Sequence, residues 1–334
     1  MRQRATVRDL AAETGLSVAT VSRVLNGRSN VAPQTREVVL KAVGRLGHQA
    51  PRARSDHASI HVRCPYLLTD YFGVIVSSIA ESVERHGRSV VLNAGEAAQR
   101  DGALAEFTRR AGTEGAVLIL PPEPEEDLVR LRDRGVPFVV VDPRTPPPRD
   151  VLAVSAAHFT GARSLMAHLV ELGHRRVGII GGPREWLVTE ARTAGYVAPL
   201  ADVGVLPAPE LMRFVVEPTV QHGYRAAGEL LDLPERPTAL VGFNDKMAAG
   251  ALQAARERGL RVPADLSVAG FDDIEISRIS QPTLTTVRQP LAEMGRMAVT
   301  LLVRLLGHHE LDALHVELGT ELVVRNSTGP APAH

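Results

Sequence analysis

One short stretch near the N-terminus carries side chains that could read the edges of DNA bases. The predicted helix that follows Ser17 presents on one face Val18, Ala19, Ser22 and Arg23. An arginine can bond both acceptors of a guanine, whereas valine and alanine offer only apolar contacts, for example with a thymine methyl group. These residue types on one helical face therefore indicate a helix that enters the major groove of DNA.

Three predicted helices form the element that would hold this face. Apolar residues recur at helical spacing in each of them, and a glycine interrupts the pattern between the first and the second. Thr6 and Ser17 can cap the first two helices, and Pro33 suits the start of the third. Two short helices joined by a glycine turn are typical of a helix-turn-helix motif. A generic three-helix bundle with a solvated basic face remains the alternative.

Charge is distributed unevenly along the chain. The 334 residues include 38 Lys and Arg and 38 Asp and Glu, so the net charge of the whole chain indicates no partner. Up to Ser59, however, ten basic residues stand against four acidic ones, which gives this part a charge of +6 and the remainder −6. A basic N-terminal part on an acidic body predicts that the basic part contacts a polyanion.

Composition argues against several classes of protein. The single cysteine, Cys64, cannot form an intrachain disulfide, and no run of about 18 apolar residues suggests a membrane span. The first residues lead into a polar amphipathic segment rather than an apolar signal core, so we expect a cytoplasmic protein. The twelve histidines show no metal-ligand spacing, and the adjacent His308 and His309 would point to different faces of a helix. We expect neither a metal nor a cofactor.

From about Ile60 the pattern changes to short apolar runs that alternate with amphipathic helices. Strands without polar alternation, separated by helices, are typical of a parallel sheet covered on both faces. Roughly eleven strands indicate two α/β units. The predicted strands are Ser89–Leu92, Ala116–Leu120, Phe138–Val141, Val177–Ile180, Arg213–Val216, Ala239–Gly242 and Ser267–Gly270. The predicted helices include Val76–His86, Gly161–Leu172, Gly223–Leu231 and Lys246–Arg258.

No catalytic motif emerges from these units. The glycine-containing run from Gly178 to Pro183 does not match GxGxxG, and no phosphate-binding loop pattern is present. The stretch from Cys64 to Asp70 contains no glycine, although a nucleotide-dependent oxidoreductase would need glycines after its first strand. The sequence therefore predicts a protein that is not an enzyme.

The N-terminal part resembles a known family of regulators. The runs from Thr6 to Ala11 and from Gly15 to Asn26 are similar to the headpiece of the lactose-repressor (LacI/GalR) family of bacterial transcription regulators, at fixed spacing. The resemblance implies contacts with DNA from Thr6, Ser17, Val18, Ala19, Thr20, Ser22, Arg23, Asn26, Arg52 and Arg54.

The segment after the third helix departs from the family pattern. Members of the family usually have a hinge helix there, with a leucine that wedges into the minor groove at the centre of the operator. Pro51 and Ala53-Arg54 remain here, but the leucine is absent and Asp56 lies nearby. A carboxylate that faces phosphate is unfavourable, so we expect a shorter hinge helix or a weaker kink, with Arg52 and Arg54 on backbone phosphate.

Runs in the second half resemble the same family, so that the resemblance spans about residues 5–328. It implies an α/β fold class in which a helix-turn-helix headpiece precedes two Rossmann-like lobes of the periplasmic-binding-protein type. We expect the headpiece at 1–48, a hinge at 49–59 and the two-lobed effector-binding and dimerisation domain at 60–328. Lobe 1 would comprise about 60–157 and 288–328, and lobe 2 about 158–287, so that the chain returns to the first lobe at its end.

The resemblance also implies a small effector between the lobes, at the carboxyl ends of the strands. The positions that match effector-binding positions of the family are Asp70, Tyr71, Phe72, Arg192, Asn244 and Asp272. Trp186 is added to them because its spacing from Arg192 places it near the mouth of the cleft. An arginine fork with carboxylate and amide acceptors suits vicinal sugar hydroxyls. A pair at Ala157-His158 departs from the Asp-Asn that the family often has, so the pocket is altered.

Other roles remain open for four of these residues. Asn244 could cap the following helix, as could its neighbour Asp245, and Asp272 could be structural. Arg192 could pair with a carboxylate across the cleft, and Trp186 could belong to the core.

The function that the resemblance implies is that of a sequence-specific transcription regulator, expected to be a repressor. It would bind a palindromic operator as a homodimer, and a small effector, expected to be a sugar, would switch its operator affinity. A leucine heptad helix like that of tetrameric relatives is absent from the tail at Gly329–His334, which favours the dimer. The alternatives are a Rossmann-like enzyme and a sugar-binding protein without a regulatory role.

Overall fold

The computed structural model describes residues 7–25, 31–45, 58–100, 104, 112–206, 208–309 and 313–332. Four residues predicted to contact DNA, namely Thr6, Asn26, Arg52 and Arg54, lie outside these residues, as does most of the predicted hinge.

Three helices near the N-terminus pack around a small apolar core. They are α1 (Val7–Thr14), α2 (Val18–Leu25) and α3 (Pro33–Arg45). The turn between the first two passes through Gly15 at φ +69°, a left-handed conformation that glycine adopts without steric cost. The core receives side chains from all three helices: Leu10, Ala11, Val21, Val24, Leu25, Val39, Ala42 and Val43. This arrangement leaves the opposite face of α2 free for contacts.

Lobe 1 is built on a six-stranded parallel sheet in the order β11-β5-β4-β3-β1-β2. Its strands are β1 (Ser59–Cys64), β2 (Ser89–Ala94), β3 (Thr113–Ile119), β4 (Phe138–Val141), β5 (Leu152–Ala156) and β11 (His315–Leu318). Its helices are α4 (Asp70–Arg85), α5 (Glu96–Gln99), α6 (Glu125–Asp133) and α12 (Leu291–Leu306). Val139 packs in the same core cluster as residues of α4 and α12, and Val140 packs with α6 on the other face. Covering of both faces explains why these strands are continuous apolar runs.

Lobe 2 is built on a four-stranded parallel sheet in the order β7-β6-β8-β9. Its strands are β6 (Val177–Gly181), β7 (Met212–Phe214), β8 (Ala239–Gly242) and β9 (Ser267–Ala269). Its helices are α7 (His158–Glu171), α8 (Leu187–Asp202), α9 (Val220–Leu231), α10 (Asp245–Glu257) and α11 (Glu275–Ile279), with a 3₁₀ turn at Pro209–Leu211. Every strand pair in both sheets is parallel, as the sequence predicts.

The end of the chain corrects the predicted lobe boundaries. Strand β12 (Glu321–Val323) pairs antiparallel with β10 (Thr286–Arg288), which continues along lobe 2. Beyond it, the Val268 N–H donates to the Ser327 carbonyl oxygen at 2.8 Å, so the tail packs on lobe 2. Residues 321–328 therefore belong to lobe 2 rather than lobe 1. The chain crosses between the lobes three times, and the third crossing joins β11 to β12.

The seven strands whose bounds were predicted are all present with small shifts at their ends, and the described residues contain five more strands, whose bounds were not predicted. Strand β1 shows the reason, because it is buried along its whole length although it contains His61 and Arg63. Arg63 Nε donates a hydrogen bond to the Ala98 carbonyl oxygen at 3.0 Å, and the guanidinium forms an ion pair with Glu123. Long-range partners therefore make a charged residue acceptable in a buried strand, which no local pattern reveals.

Two features are absent from the described residues. None of their helices combines the length and apolarity that a membrane span requires. They contain no cluster of three or more His, Cys, Asp or Glu residues that could hold a metal ion.

Candidate ligand cleft and DNA-contacting helix

A cavity of about 940 Å³ lies between the two lobes. Lobe 1 lines it with residues that follow β1, β3 and β4 and with the start of α4. Lobe 2 lines it with residues that follow β6, β7, β8 and β9. The carboxyl ends of the strands in a parallel sheet place their loops along one edge, and here the two edges face the same space.

Arg192 is a buried arginine at the floor of this cavity and is held by several partners. Its guanidinium donates a hydrogen bond to the Phe243 carbonyl oxygen. Its Nη2 lies 3.4 Å from His158 Nδ1 and 3.6 Å from Asp272 Oδ1. The guanidinium carbon also lies 3.8 Å from the centroid of the Phe271 ring, a cation–π contact. Arg192 is therefore fixed before any ligand arrives.

The position of Arg192 depends on the close packing of two helices. Arg192 lies on α8, and Gly195 follows it by one turn. A Cβ at Gly195 would lie 2.4 Å from the Phe159 carbonyl oxygen on α7, so only glycine lets the helices approach this closely. The approach brings Arg192 within reach of His158, the first residue of α7.

Asp142 is the second charged residue of the floor and comes from lobe 1. It follows β4, and its backbone has φ +48°, which residues other than glycine rarely adopt. The Tyr71 hydroxyl donates to one carboxylate oxygen, and His158 Nε2 lies 3.1 Å from the other. His158 therefore links a carboxylate of lobe 1 with the Arg192 guanidinium of lobe 2.

Asp272 is the third charged residue and follows β9. Its backbone has φ +117°, and Gln289 Nε2 donates to its Oδ1 at 2.6 Å. Burial raises the pKa of the Asp272 carboxyl to about 7, and the Asp142 charge also raises it, against the opposing effects of Arg192 and Gln289. Burial favours the neutral form of a carboxyl because the charged form loses its hydration.

The pKa of the Asp142 carboxyl shifts in the other direction, below its ordinary value. Burial by itself raises its pKa, but the nearby His158 and the hydrogen bonds from His158 and Tyr71 bring the pKa below its ordinary value. Burial and the Asp142 charge raise the pKa of Tyr71 well above its usual value, so Tyr71 remains a donor. The floor therefore offers one ionised carboxylate and one carboxyl that titrates close to neutrality.

This difference predicts a pH dependence of stability. In the folded protein Asp272 holds its proton up to about pH 7, whereas in the unfolded chain it loses it near 3.8. The folded state thus binds more protons in this window, and the free energy of unfolding falls as pH rises from about 4 to 7, by at most about 1.4 kcal/mol per pH unit for one group. The measurement is urea unfolding at several pH values, followed by Trp186 fluorescence.

The matched control for this prediction is Asp272→Asn, which keeps the shape of the side chain and removes its charge. The slope is expected to become shallower without vanishing, because burial also raises the pKa of Asp245, which the variant retains. Equal slopes in the two proteins would contradict the proposed titration of Asp272.

The exposed face of α2 is arranged for contact with a partner outside the headpiece. Ser17 caps the helix, because its hydroxyl oxygen accepts from the Thr20 N–H at 3.1 Å. Val18, Ala19 and Arg23 are exposed, with 48% of the Val18 side chain accessible although it is apolar. Thr20 and Ser22 are half-buried beside them. An exposed valine and arginine on one face match what major-groove readout requires.

Known proteins match both parts of this arrangement. Residues 6–50 match the family model of bacterial regulatory proteins, lacI family, and residues 166–328 match that of a periplasmic binding protein-like domain. The regulator MalR of Streptomyces coelicolor is 36% identical over 347 residues, which cover 97% of this chain and 96% of MalR. The repressor CytR of Escherichia coli K12 is 32% identical over 341 residues, which cover 98% of this chain and 97% of CytR.

The chain belongs to the LacI family of bacterial regulatory proteins. It is therefore a DNA-binding transcription regulator, and the predicted family and fold class are confirmed. The curated relatives named above are transcriptional regulators and not enzymes.

Solved structures of LacI-family proteins share this architecture. The transcriptional regulator CelR in complex with cellobiose superposes with a TM-score of 0.74 at 30% identity, covering 97% of this chain and all of CelR. The Lac repressor dimer bound to operator and the anti-inducer ONPF superposes with a TM-score of 0.73 at 29% identity, covering 98% of this chain and all of that chain.

Six of the seven effector residues predicted for this LacI-family protein line the cavity, namely Tyr71, Phe72, Trp186, Arg192, Asn244 and Asp272. Asp70 does not line it, which corrects the prediction. Asp70 is exposed and lines a separate depression, to which Arg296 also contributes. The reason is helix geometry, because Asp70 and Phe72 both lie in α4, where two residues correspond to a rotation of about 200°.

The roles left open for Asn244 and Arg192 are also visible. The Asn244 side chain caps α10 by accepting from the Met247 N–H at 3.0 Å, while the residue lines the cavity as well. Arg192 Nη2 lies 3.6 Å from the Asp272 carboxylate of its own lobe, and the Arg192 charge also lowers the pKa of Asp142 on lobe 1. Trp186 is buried in the wall, with 9% of its surface accessible.

Among the residues in and behind this LacI-family cleft that were not predicted as effector residues are Asp142, Arg144 and His158. Asp142 and Arg144 follow β4 directly, so the rule that ligands bind at the carboxyl ends of strands could have found them. His158 lies behind Asp142 and Arg192, and only the Ala157-His158 departure from the family pattern pointed to it.

Proposed function

We propose that this regulator is a repressor that binds a palindromic operator as a homodimer, and that a sugar bound between its lobes switches its operator affinity. The names of relatives support this proposal, since CytR is a repressor, CelR was solved with cellobiose, and the Lac repressor was solved as a dimer on its operator. The proposal places the protein in the cytoplasm, where it reaches chromosomal DNA, and assigns it no enzymatic activity.

The observation that carries the sugar assignment is the cavity floor formed by Asp142, Arg192 and Asp272. A fixed guanidinium donates to hydroxyl oxygens, and the carboxyl groups accept from hydroxyl hydrogens. Aromatic side chains complete the walls and suit the apolar faces of sugar rings, with Trp186 and Phe243 6.2 Å apart between ring centroids. Directional polar groups at the base of an aromatic cavity match a polyhydroxylated ligand of modest size.

Contacts between the lobes indicate how such a ligand could act on DNA binding. The Leu187 N–H of lobe 2 donates to the Arg144 carbonyl oxygen of lobe 1 at 2.7 Å, and Lys246 Nζ donates to Thr69 Oγ1 at 2.9 Å. A ligand that contacts both lobes favours the arrangement in which these bonds form. If the operator favours a different arrangement by a hundredfold, the coupling free energy is about 2.7 kcal/mol.

Fluorescence anisotropy at one fixed salt concentration tests the proposal. Labelled DNA from upstream of the protein's own gene is compared with a scrambled duplex of equal length. We expect a preference for the native duplex of about a thousandfold or more, and release when the correct sugar is added. Equal affinity for the operator with and without a tightly bound sugar would contradict the switching mechanism, and turnover of the sugar would favour the enzyme alternative.

A further inference from the structure

The wall of the cavity contains the same pair of groups twice. Arg192 lies over the Phe243 ring with its guanidinium carbon 4.6 Å from the ring centroid. Arg144 lies over the Trp186 ring at 4.9 Å. The two rings are neighbours in an edge-on arrangement, with their centroids 6.2 Å apart. One arginine and one aromatic ring thus repeat along the wall at a spacing comparable to that of two linked pyranose rings.

Arg144 is positioned by both lobes and has unused donors. Its guanidinium carbon lies 5.2 Å from the ring centroid of Tyr66 in lobe 1 and 4.9 Å from that of Trp186 in lobe 2. Its backbone is fixed by the bond from the Leu187 N–H. Within the described part of the chain, no hydrogen bond or ion pair from its guanidinium is found, and its Nε is buried without a partner. Aromatic rings next to the faces of a guanidinium leave its in-plane N–H groups for a ligand.

The surroundings of Arg144 suit a neutral ligand. Burial lowers the pKa of Arg144, the Glu185 carboxylate raises it, and the charge of Arg63 lowers it. Glu217 lines the same cavity from lobe 2. The lining carries charges of both signs, since Arg144, Arg192 and Lys246 stand beside Asp142, Glu185 and Glu217. Hydroxyl groups can accept from the basic side chains and donate to the acidic ones, so a neutral polyhydroxylated ligand suits both.

The size of the cavity points in the same direction. Its volume of about 940 Å³ lies near the upper end of the range of about 300–1,000 Å³ that is usual for ligand pockets. One pyranose ring on the Arg192 floor would leave much of this space, including the stretch beside Arg144, to water.

We propose that Arg144, Trp186 and Tyr66 form a second sugar subsite next to the Arg192 floor, and that the effector is a neutral oligosaccharide of at least two rings. The inference rests on the proposed function, since it names the class of sugar that the same cleft accepts. The first ring binds at Arg192, Asp142 and Asp272, and the hydroxyls of the second ring accept from the Arg144 guanidinium.

Isothermal titration of the full-length protein with a panel of neutral sugars tests this proposal. The panel pairs glucose with maltose and cellobiose, galactose with lactose and melibiose, and xylose with xylobiose. We expect one disaccharide to bind at least tenfold more tightly than its constituent monosaccharide. Arg144→Ala is expected to weaken binding of the disaccharide by about 10- to 100-fold, which is the range expected when a hydrogen bond to a charged group is lost. Binding of the monosaccharide is expected to weaken by less than about threefold.

The matched control is Arg184→Ala. Arg184 also stacks on an aromatic ring, 3.9 Å from the Phe214 centroid, but it does not line the cavity. The Arg184→Ala variant is expected to bind the monosaccharide and the disaccharide with unchanged affinity. Thermal unfolding of each variant shows whether it is folded, and Arg144→Gln, which keeps much of the side-chain volume, replaces the alanine variant if that variant unfolds.

Two outcomes would overturn the inference without touching the proposed function. In the first, a monosaccharide binds as tightly as the disaccharides that contain it. In the second, Arg144→Ala lowers the affinity for the monosaccharide and the disaccharide equally, which would assign Arg144 to lobe closure alone. The absence of binding by every sugar in the panel would instead contradict the proposed function, and the second subsite with it.

Discussion

Arg192→Ala is expected to abolish the response of the operator complex to sugar while leaving operator binding without sugar within about threefold of its normal value. The guanidinium bonds the Phe243 carbonyl oxygen and faces Asp272 and His158 at the floor of the cleft. Removal of the guanidinium takes away the main charged donor for ligand hydroxyls. It also removes a positive charge that stabilises the ionised form of Asp272. The affinity for sugar should fall at least about a hundredfold, the size of a lost charge-assisted interaction.

Titration calorimetry with the sugar and anisotropy with operator DNA measure the two halves of this prediction. Arg175→Ala is the control, because Arg175 is an exposed arginine of the same lobe whose guanidinium donates to the backbone carbonyl oxygens of Val170 and His174. Arg192→Lys keeps the charge but loses the planar fork, and should also respond poorly. If Arg192→Ala still released DNA normally, the assignment of the floor would be wrong.

Arg23→Ala is expected to weaken operator binding by about 1–3 kcal/mol and to relax the preference for one base pair in each half-site. Arg23 is exposed on α2, next to the apolar face of Val18 and Ala19, where a bidentate bond to guanine is possible. Loss of such a bond removes discrimination as well as affinity. Anisotropy against operators with each base pair substituted in turn measures both.

The control for Arg23 is Lys41→Ala, which removes one positive charge from α3. Lys41 pairs with Glu37 at 2.8 Å and is 65% exposed, so its loss should change binding little and uniformly across sequences. An equal loss on operator and random DNA for Arg23→Ala would make Arg23 a phosphate contact. The slope of log affinity against log salt concentration would then become shallower by the contribution of about one phosphate contact.

The sequence predicted the architecture because the signals for it are local. The apolar stripes of α1, α2 and α3 and the turn at Gly15 each lie within a few residues, as do the apolar runs of buried parallel strands. The effector residues came from resemblance, and the structure places six of them around one cavity. Local patterns failed where burial has a distant cause, as in β1 with its buried Arg63.

By itself the sequence determined the family, the basic headpiece on an acidic body, and the two α/β units. Only the tertiary structure decided which side chains meet between the lobes. His158 joins Asp142 to Arg192, and Arg144 contacts two aromatic rings, although these partners come from separate elements of the two lobes. The phase of one helix turned Asp70 away from the cavity. Such side-chain contacts depend on the order of strands in each sheet and on the rotation of each helix about its axis. Both are set by packing over the whole chain rather than by neighbours in sequence.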